Sequence, residues 1–142
     1  MKPEFWAIRP GGTGDVSNTQ VAWKVTRQAP QKPSPVLSGD EVYMVADNGI
    51  VTCMDALTGQ IHYSERLGGE FSASPLVAGD RIYFFDQTGK STVLAAGKQF
   101  RVLGTSSLGD GFMASAAVAG DSLILRSKTR LYRIEARTTA SR

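Results

Sequence analysis

Three segments of the chain repeat one another: SPVLSGDEVYMV from Ser34, SPLVAGDRIYFF from Ser74 and SAAVAGDSLILR from Ser115, at offsets of 40 and 41 residues. Equivalent positions agree in identity as well as phase: Ser34, Ser74 and Ser115; Gly39, Gly79 and Gly120; Asp40, Asp80 and Asp121. The match extends upstream, where EFSAS ending at Ser74 parallels GFMAS ending at Ser115. A period of this length restricts the chain to architectures built from one supersecondary unit, each burying its apolar face against its neighbours.

Within a unit, three or four apolar residues follow the serine, then a Gly-Asp turn, then a second apolar run: VYMV, IYFF or LILR. Short runs of β-branched and aromatic residues bounded by Gly, Asp and Asn predict strands, and their near-continuous hydrophobicity predicts sheets covered on both faces. A third strand (IVTCM, STVLA, RLYRI) follows turns at Asp47 to Gly49, Gln87 to Gly89 and Ser127 to Thr129. A fourth, QIHYSERL, follows Asp55 to Gly59, with QFRVLGTSSL as its counterpart in the next unit. Four short strands per 40 residues joined by hairpin turns predict a β-propeller blade, and no capped helical periodicity competes with that reading.

The repeat also decides the meaning of Gly89-Lys90-Ser91, which resembles the end of a phosphate-binding loop. That motif needs a glycine five positions earlier and a helix immediately after. Phe84 occupies the first position, and β-branched strand residues follow. Gly89 aligns instead with Gly49 at a strand-to-strand turn, where glycine permits a positive φ.

Composition removes other function classes. Sixteen Lys+Arg against thirteen Asp+Glu give a net charge of +3. Arg126, Lys128, Arg130 and Arg133, followed by Arg137 and Arg142, could suit a polyanion. Their alternation with Leu131, Tyr132 and Ile134, without an aromatic stacking platform, predicts solvent-facing strand positions, and no nucleic-acid partner is expected. The lone Cys53 sits in the apolar run IVTCM and reads as a buried small hydrophobe. His62 has no nearby His or Cys for a metal set and no identifiable nucleophile or acid for a triad. No run approaches 18 apolar residues, so no membrane-spanning helix is expected. MKPEFWAIRPGG lacks the apolar region of a signal peptide.

The segment VTCMDALTGQIHYSERL resembles the repeat of the quinoprotein-like propellers, the PQQ repeat family. Asp55, Ala56, Thr58 and Gly59 carry the motif, with Gln60 where Lys is usual and Tyr63 where Trp is usual. Asp55 and Thr58 can bond the turn backbone, Gly59 supplies a left-handed position, and the aromatic packs between blades. The likeness covers most of Phe5 to Glu135, and Trp23 falls in the docking position of an earlier blade. In LAAGKQF the aspartate is lost. The resemblance implies the C-terminal portion of a bacterial propeller protein, with a periplasmic or secreted setting for a full-length parent. It also implies two kinds of function. Some members are dehydrogenases that bind pyrroloquinoline quinone and calcium; others use the ring only as a binding platform. The enzymes need carboxylates for the metal and, in many, a pair of adjacent cysteines, and no residue here matches those positions. The expectation is a non-enzymatic interaction scaffold with no catalytic, cofactor-binding or metal residues and no cofactor; the alternative is a fragment of a PQQ-dependent oxidoreductase that lost or never had its catalytic residues.

The predicted organisation is all-β, with four-stranded antiparallel blades, about three to three and a half per chain. Residues 1–33 end a preceding blade, 34–73 and 74–114 are blades, 115–135 is a three-stranded incomplete blade and 136–142 a polar tail. VAWKVTR reads as a lone fourth strand. The complementary missing strands predict that two chains close head to tail into a ring of about six blades, unless the chain is a piece of a longer propeller.

Overall fold

A computed structural model describes residues 2–136; Met1 and residues 137–142 lie outside it, including most of the polar tail and Arg137 and Arg142. Among the described residues there are thirteen strands and no helix. In chain order they are β1 (Phe5–Ile8), β2 (Val21–Val25), β3 (Val36–Ser38), β4 (Glu41–Val45), β5 (Ile50–Asp55), β6 (Ile61–Arg66) and β7 (Leu76–Ala78). There follow β8 (Arg81–Phe85), β9 (Lys90–Ala95), β10 (Val102–Ser107), β11 (Ala117–Ala119), β12 (Ser122–Arg126) and β13 (Leu131–Glu135). They form antiparallel sheets in the orders β1-β2, β3-β4-β5-β6, β7-β8-β9-β10 and β11-β12-β13. Each is an up-and-down meander, the topology of a propeller blade.

The N-terminal end differs from the lone strand expected at Val21 to Arg27. β2 pairs with β1, placing Phe5 opposite Val25 and Trp6 opposite Lys24. The intervening residues 9–20, rich in Gly and polar side chains, separate the two runs beyond hairpin spacing, so their pairing is a tertiary outcome.

The sheets stack face to face, and the alternation of side chains along each middle strand serves two interfaces at once. On β4, Met44 packs with Val25 and Met54 against Phe5 and Trp23, while Tyr43 and Val45 point the other way into a cluster with Ile82, Phe84 and Leu94. On β8, Phe85 leaves that cluster and joins Phe112 and Leu125 of the following unit. The continuous hydrophobicity of VYMV and IYFF follows from this double burial. The Phe85 and Phe112 rings meet edge to face at 5.6 Å, a geometry aromatic quadrupoles favour.

Polar contacts repeat with the same period. The Ser34 N–H donates to Ser74 Oγ, and the Ser74 N–H to Ser115 Oγ, both at 2.9 Å. The recurrent serine is thus a relay that fixes the register of one inner strand against the next. At the outer edge, Asp55 Oδ1 accepts from the Leu57 and Thr58 amides and from Thr58 Oγ1 at 2.8 to 3.0 Å, closing the turn. The Trp23 indole N–H donates to the Ala56 carbonyl at 3.1 Å, with its ring against Gly59. In the next unit, where Ala95 replaces the aspartate, the equivalent turn is held from the neighbouring sheet instead: the Gly97 N–H donates to the Tyr43 hydroxyl at 2.6 Å.

One connector carries strain. Six residues before each repeat serine stand Gln28, Gly68 and Gly109, all at positive φ, 56°, 78° and 70°. Glutamine is the residue of the three with a Cβ to clash in that conformation. Gln28→Gly is expected to stabilise the fold by about 1 kcal/mol, the left-handed penalty less the extra unfolded-state freedom of glycine. A urea midpoint shifted downward would contradict this.

Candidate functional site

The turns between second and third strands and the connectors between sheets form one continuous loop layer. Each connector bonds the turn before it and the turn after it. Leu67 N–H donates to Gly49 O at 2.9 Å and Phe71 N–H to Asp47 O at 2.9 Å, while Gln87 N–H donates back to Glu70 O at 2.8 Å. The next unit repeats this through Leu108 to Gly89, Phe112 to Asp86 and Lys128 to Gly111. Loops pinned in this way present side chains at reproducible positions without a ligand.

Carboxylates anchor the layer. Asp86, 3% exposed, accepts at one oxygen from Thr88 N–H, Thr88 Oγ1 and Lys90 N–H at 2.8 to 2.9 Å. Asp47 accepts from the Gln31 N–H at 2.8 Å and pairs with Lys32 Nζ at 3.4 Å. Asp110 accepts from Ser127 Oγ and Thr129 Oγ1 at 2.7 Å and from the Thr129 N–H at 3.0 Å, tying its connector to the β12–β13 turn. The Ser127 hydroxyl first, then the Thr129 hydroxyl, hold the Asp110 carboxyl down at about 2. A folded-state value below the ordinary 3.8 means that the ionised carboxylate stabilises the fold above that pH, and that this stabilisation is lost as pH falls toward 2. Asp110→Asn is therefore expected to be less stable than the parent at pH 7, with the gap narrowing between about pH 4 and pH 2. A gap constant across that range, in urea titrations at each pH, would refute it.

In the loop layer, beside the β1–β2 sheet, is a cleft of about 380 Å3 lined by Lys2, Arg27, Gln28, Gln31, Asp47 and Asn48 among others. It combines cationic, anionic and amide groups with the strained Gln28 backbone. The repeat alignment marks Gln28 as an oddity, but nothing in the sequence points to this cleft, because its walls come from two sheets and the N-terminus.

The residues singled out in the sequence fall elsewhere. Gly89 turns at φ 95°, and Lys90 and Ser91 open β9. The Lys90 ammonium donates to the Leu67 carbonyl at 3.4 Å, occupied with the connector. Cys53 is fully buried between sheets, and burial pushes its thiol up to about 11, so it stays protonated. The His62 Nε2 and Tyr63 hydroxyl are buried without hydrogen-bond partners. Arg126, Lys128, Arg130 and Arg133 are all exposed; Arg133 pairs with Glu135, and Lys128 Nζ donates to Gln87 O at 3.4 Å. Among the described residues no three His, Cys, Asp or Glu side chains converge as a metal set. With Cys53 alone and enclosed, these residues do not fit a quinone and calcium pair.

Stacked four-stranded meanders with an inter-sheet serine relay and an aromatic docked on the Asp-Ala-x-Thr-Gly turn define an arc of a PQQ-repeat β-propeller. The family model for outer membrane protein assembly factor BamB matches residues 14–142, and the chain belongs to that family. Among solved structures, BamB from Moraxella catarrhalis superposes with a TM-score of 0.65 at 16% identity, covering 80% of this chain and 33% of that one. Dihydro-heme d1 dehydrogenase NirN, in complex with DHE, gives 0.65 at 15% identity, covering 82% and 28%. The quinohemoprotein alcohol dehydrogenase ADHIIG from Pseudomonas putida HK5 gives 0.56 at 11% identity, covering 66% and 16%. The chain spans about a third of that BamB chain's length. The fold is thus shared by an assembly factor and by dehydrogenases. No curated protein matches the chain.

Proposed function

We propose that this chain is a non-enzymatic propeller segment that binds protein partners through its loop layer, a reading that its membership of an assembly-factor family supports. The observation that supports this most directly is the cleft at Lys2, Arg27, Gln28 and Asn48, a polar recess on pre-ordered loops. A partner loop entering it would meet donors and acceptors already positioned, so that little ordering entropy opposes binding. By this reading the occupant of the cleft is a polar segment of a protein of outer-membrane assembly.

A photo-crosslinking side chain placed at Arg27 or Asn48, compared with Asp80 or Asp121 on the opposite turns, tests this in cells. Crosslinks to outer-membrane assembly proteins are expected from the first pair of positions. Crosslinks from the second pair only, or from neither, would reject the loop layer as the binding face. The oxidoreductase reading is separated by gel filtration with pyrroloquinoline quinone and Ca²⁺. Cofactor absorbance travelling with the protein would favour it, and free elution is expected.

A further inference from the structure

The turn between second and third strands differs among the repeats at one chemically decisive place. It reads Asp47-Asn48-Gly49 in the first full unit, Gln87-Thr88-Gly89 in the next and Ser127-Lys128-Thr129 in the last. Asn48 is therefore an asparagine followed by glycine, the one such pair in the chain. Asparagine is among the thermolabile residues, and a following glycine leaves its own nitrogen unobstructed for attack on the asparagine side-chain carbonyl carbon. The other asparagine, Asn18, precedes Thr19, whose branched Cβ crowds the same approach.

Asn48 is exposed and Gly49 buried, and the backbone around them is bonded on several sides. Gly49 N–H donates to the Ala46 carbonyl at 2.9 Å, and Ala46 N–H to the Ile50 carbonyl at 2.8 Å. The connector adds two bonds from outside the hairpin. Leu67 N–H donates to Gly49 O at 2.9 Å, and Arg66 Nη1 to Asn48 O at 3.3 Å. The attacking nitrogen is thus engaged and its peptide is held in place. Reaction needs the turn to open first, a local equilibrium of the kind that costs less than global unfolding.

We propose that Asn48 is a deamidation site guarded by the loop layer: stable while its turn is closed, converted when the turn opens, and unable to close as before once it has become isoaspartate. In the open turn the Gly49 nitrogen gives its proton to water and attacks Asn48 Cγ. The N–Cγ bond forms, the Cγ–Nδ2 bond breaks, and the side-chain nitrogen leaves as ammonia with a proton taken from solvent. Water then opens the succinimide ring. Cleavage of the N–Cγ bond yields aspartate. Cleavage between that nitrogen and the Asn48 backbone carbonyl carbon yields isoaspartate, whose main chain runs through Cβ and is one carbon longer. Space for a larger turn is lacking, since even a Cβ at Gly49 would stand 2.7 Å from the Gly68 and Gly69 carbonyl oxygens. Isoaspartate therefore breaks the link from Leu67 to Gly49, and either product adds a negative charge beside Asp47. The inference is independent of what binds the cleft.

Mass spectrometry of the tryptic peptide ending at Arg66 follows the conversion, and enzymatic methylation of isoaspartate identifies the product. At mildly alkaline pH the folded chain should convert at least about tenfold more slowly than a synthetic peptide of residues 46–50, the factor being set by the open fraction of the turn. Urea below the unfolding midpoint should speed the reaction, Asn18 should stay intact, and Asn48→Gln should abolish the signal. Isoaspartate-bearing chain, separated by ion exchange, should lose hydrogen-exchange protection at the Leu67 amide. A folded chain that converts as fast as the peptide overturns the guarding, and a rate that rises only through the global unfolding transition overturns local opening. An Asn48 that survives in the unfolded chain overturns the site itself. Isoaspartate-bearing protein with a fully protected Leu67 amide overturns the one-way step.

Discussion

Gly89→Ala is expected to destabilise the fold by roughly 3 kcal/mol, because two penalties coincide at one carbon. The residue turns at φ 95°, where a Cβ is strained in any surroundings. That Cβ would also stand 2.5 Å from the Asp110 carbonyl oxygen and 2.8 Å from its nitrogen. Both atoms are backbone, held by the bond from Leu108 N–H to Gly89 O at 3.1 Å, so the connector cannot swing aside without breaking its own link. Gly49, with a Cβ position 2.7 Å from the Gly68 and Gly69 carbonyls, should behave alike. Gly104→Ala is the control: nothing lies within 4 Å of its Cβ position, and its stability should change by less than about 0.5 kcal/mol. Equal urea midpoints for the alanine variants at positions 89 and 104 would contradict the close-approach argument.

Phe71→Ala should cost about 3 to 5 kcal/mol, the range for a large aromatic removed from a core that cannot collapse around the void. Phe71 is 2% exposed and belongs to the cluster containing Tyr43, Val45, Ile82 and Phe84. It lies on a connector, with its N–H bonded to Asp47 O at 2.9 Å, so backbone and ring are fixed together between two sheets. A domain of this size has about 5 to 15 kcal/mol in total, so the variant should be close to unfolding at room temperature. Leu57→Ala, at a position 82% exposed, should leave the midpoint unchanged. A loss below about 1 kcal/mol for Phe71→Ala would mean that the sheets repack without it.

Much of the architecture was legible because the repeat imposes it. Gly49 and Gly89 were placed at equivalent turns by alignment alone, and the runs VYMV and IYFF predicted strands covered on both faces. The β1–β2 pair was not legible, since strands joined by a long polar loop carry no local turn signal. The same holds for the cleft at Arg27 and Asn48, whose walls are distant in sequence. The Tyr43 hydroxyl, which takes over the role of the missing aspartate by bonding Gly97, lies 54 residues from its partner, beyond what a motif can display.

The sequence by itself determined the blade: its period, its strands, its turns and the Asp55 to Gly59 loop, because each depends on residues close along the chain. Tertiary structure decided what joins the blades. Ser34, Ser74 and Ser115 are visible as a recurrence in the sequence, yet only stacking makes the Ser74 and Ser115 hydroxyls acceptors for the preceding blade's amide. A hydrogen bond across 40 residues exists only when both sheets are already in place, and so it belongs to the packed arc rather than to any one repeat.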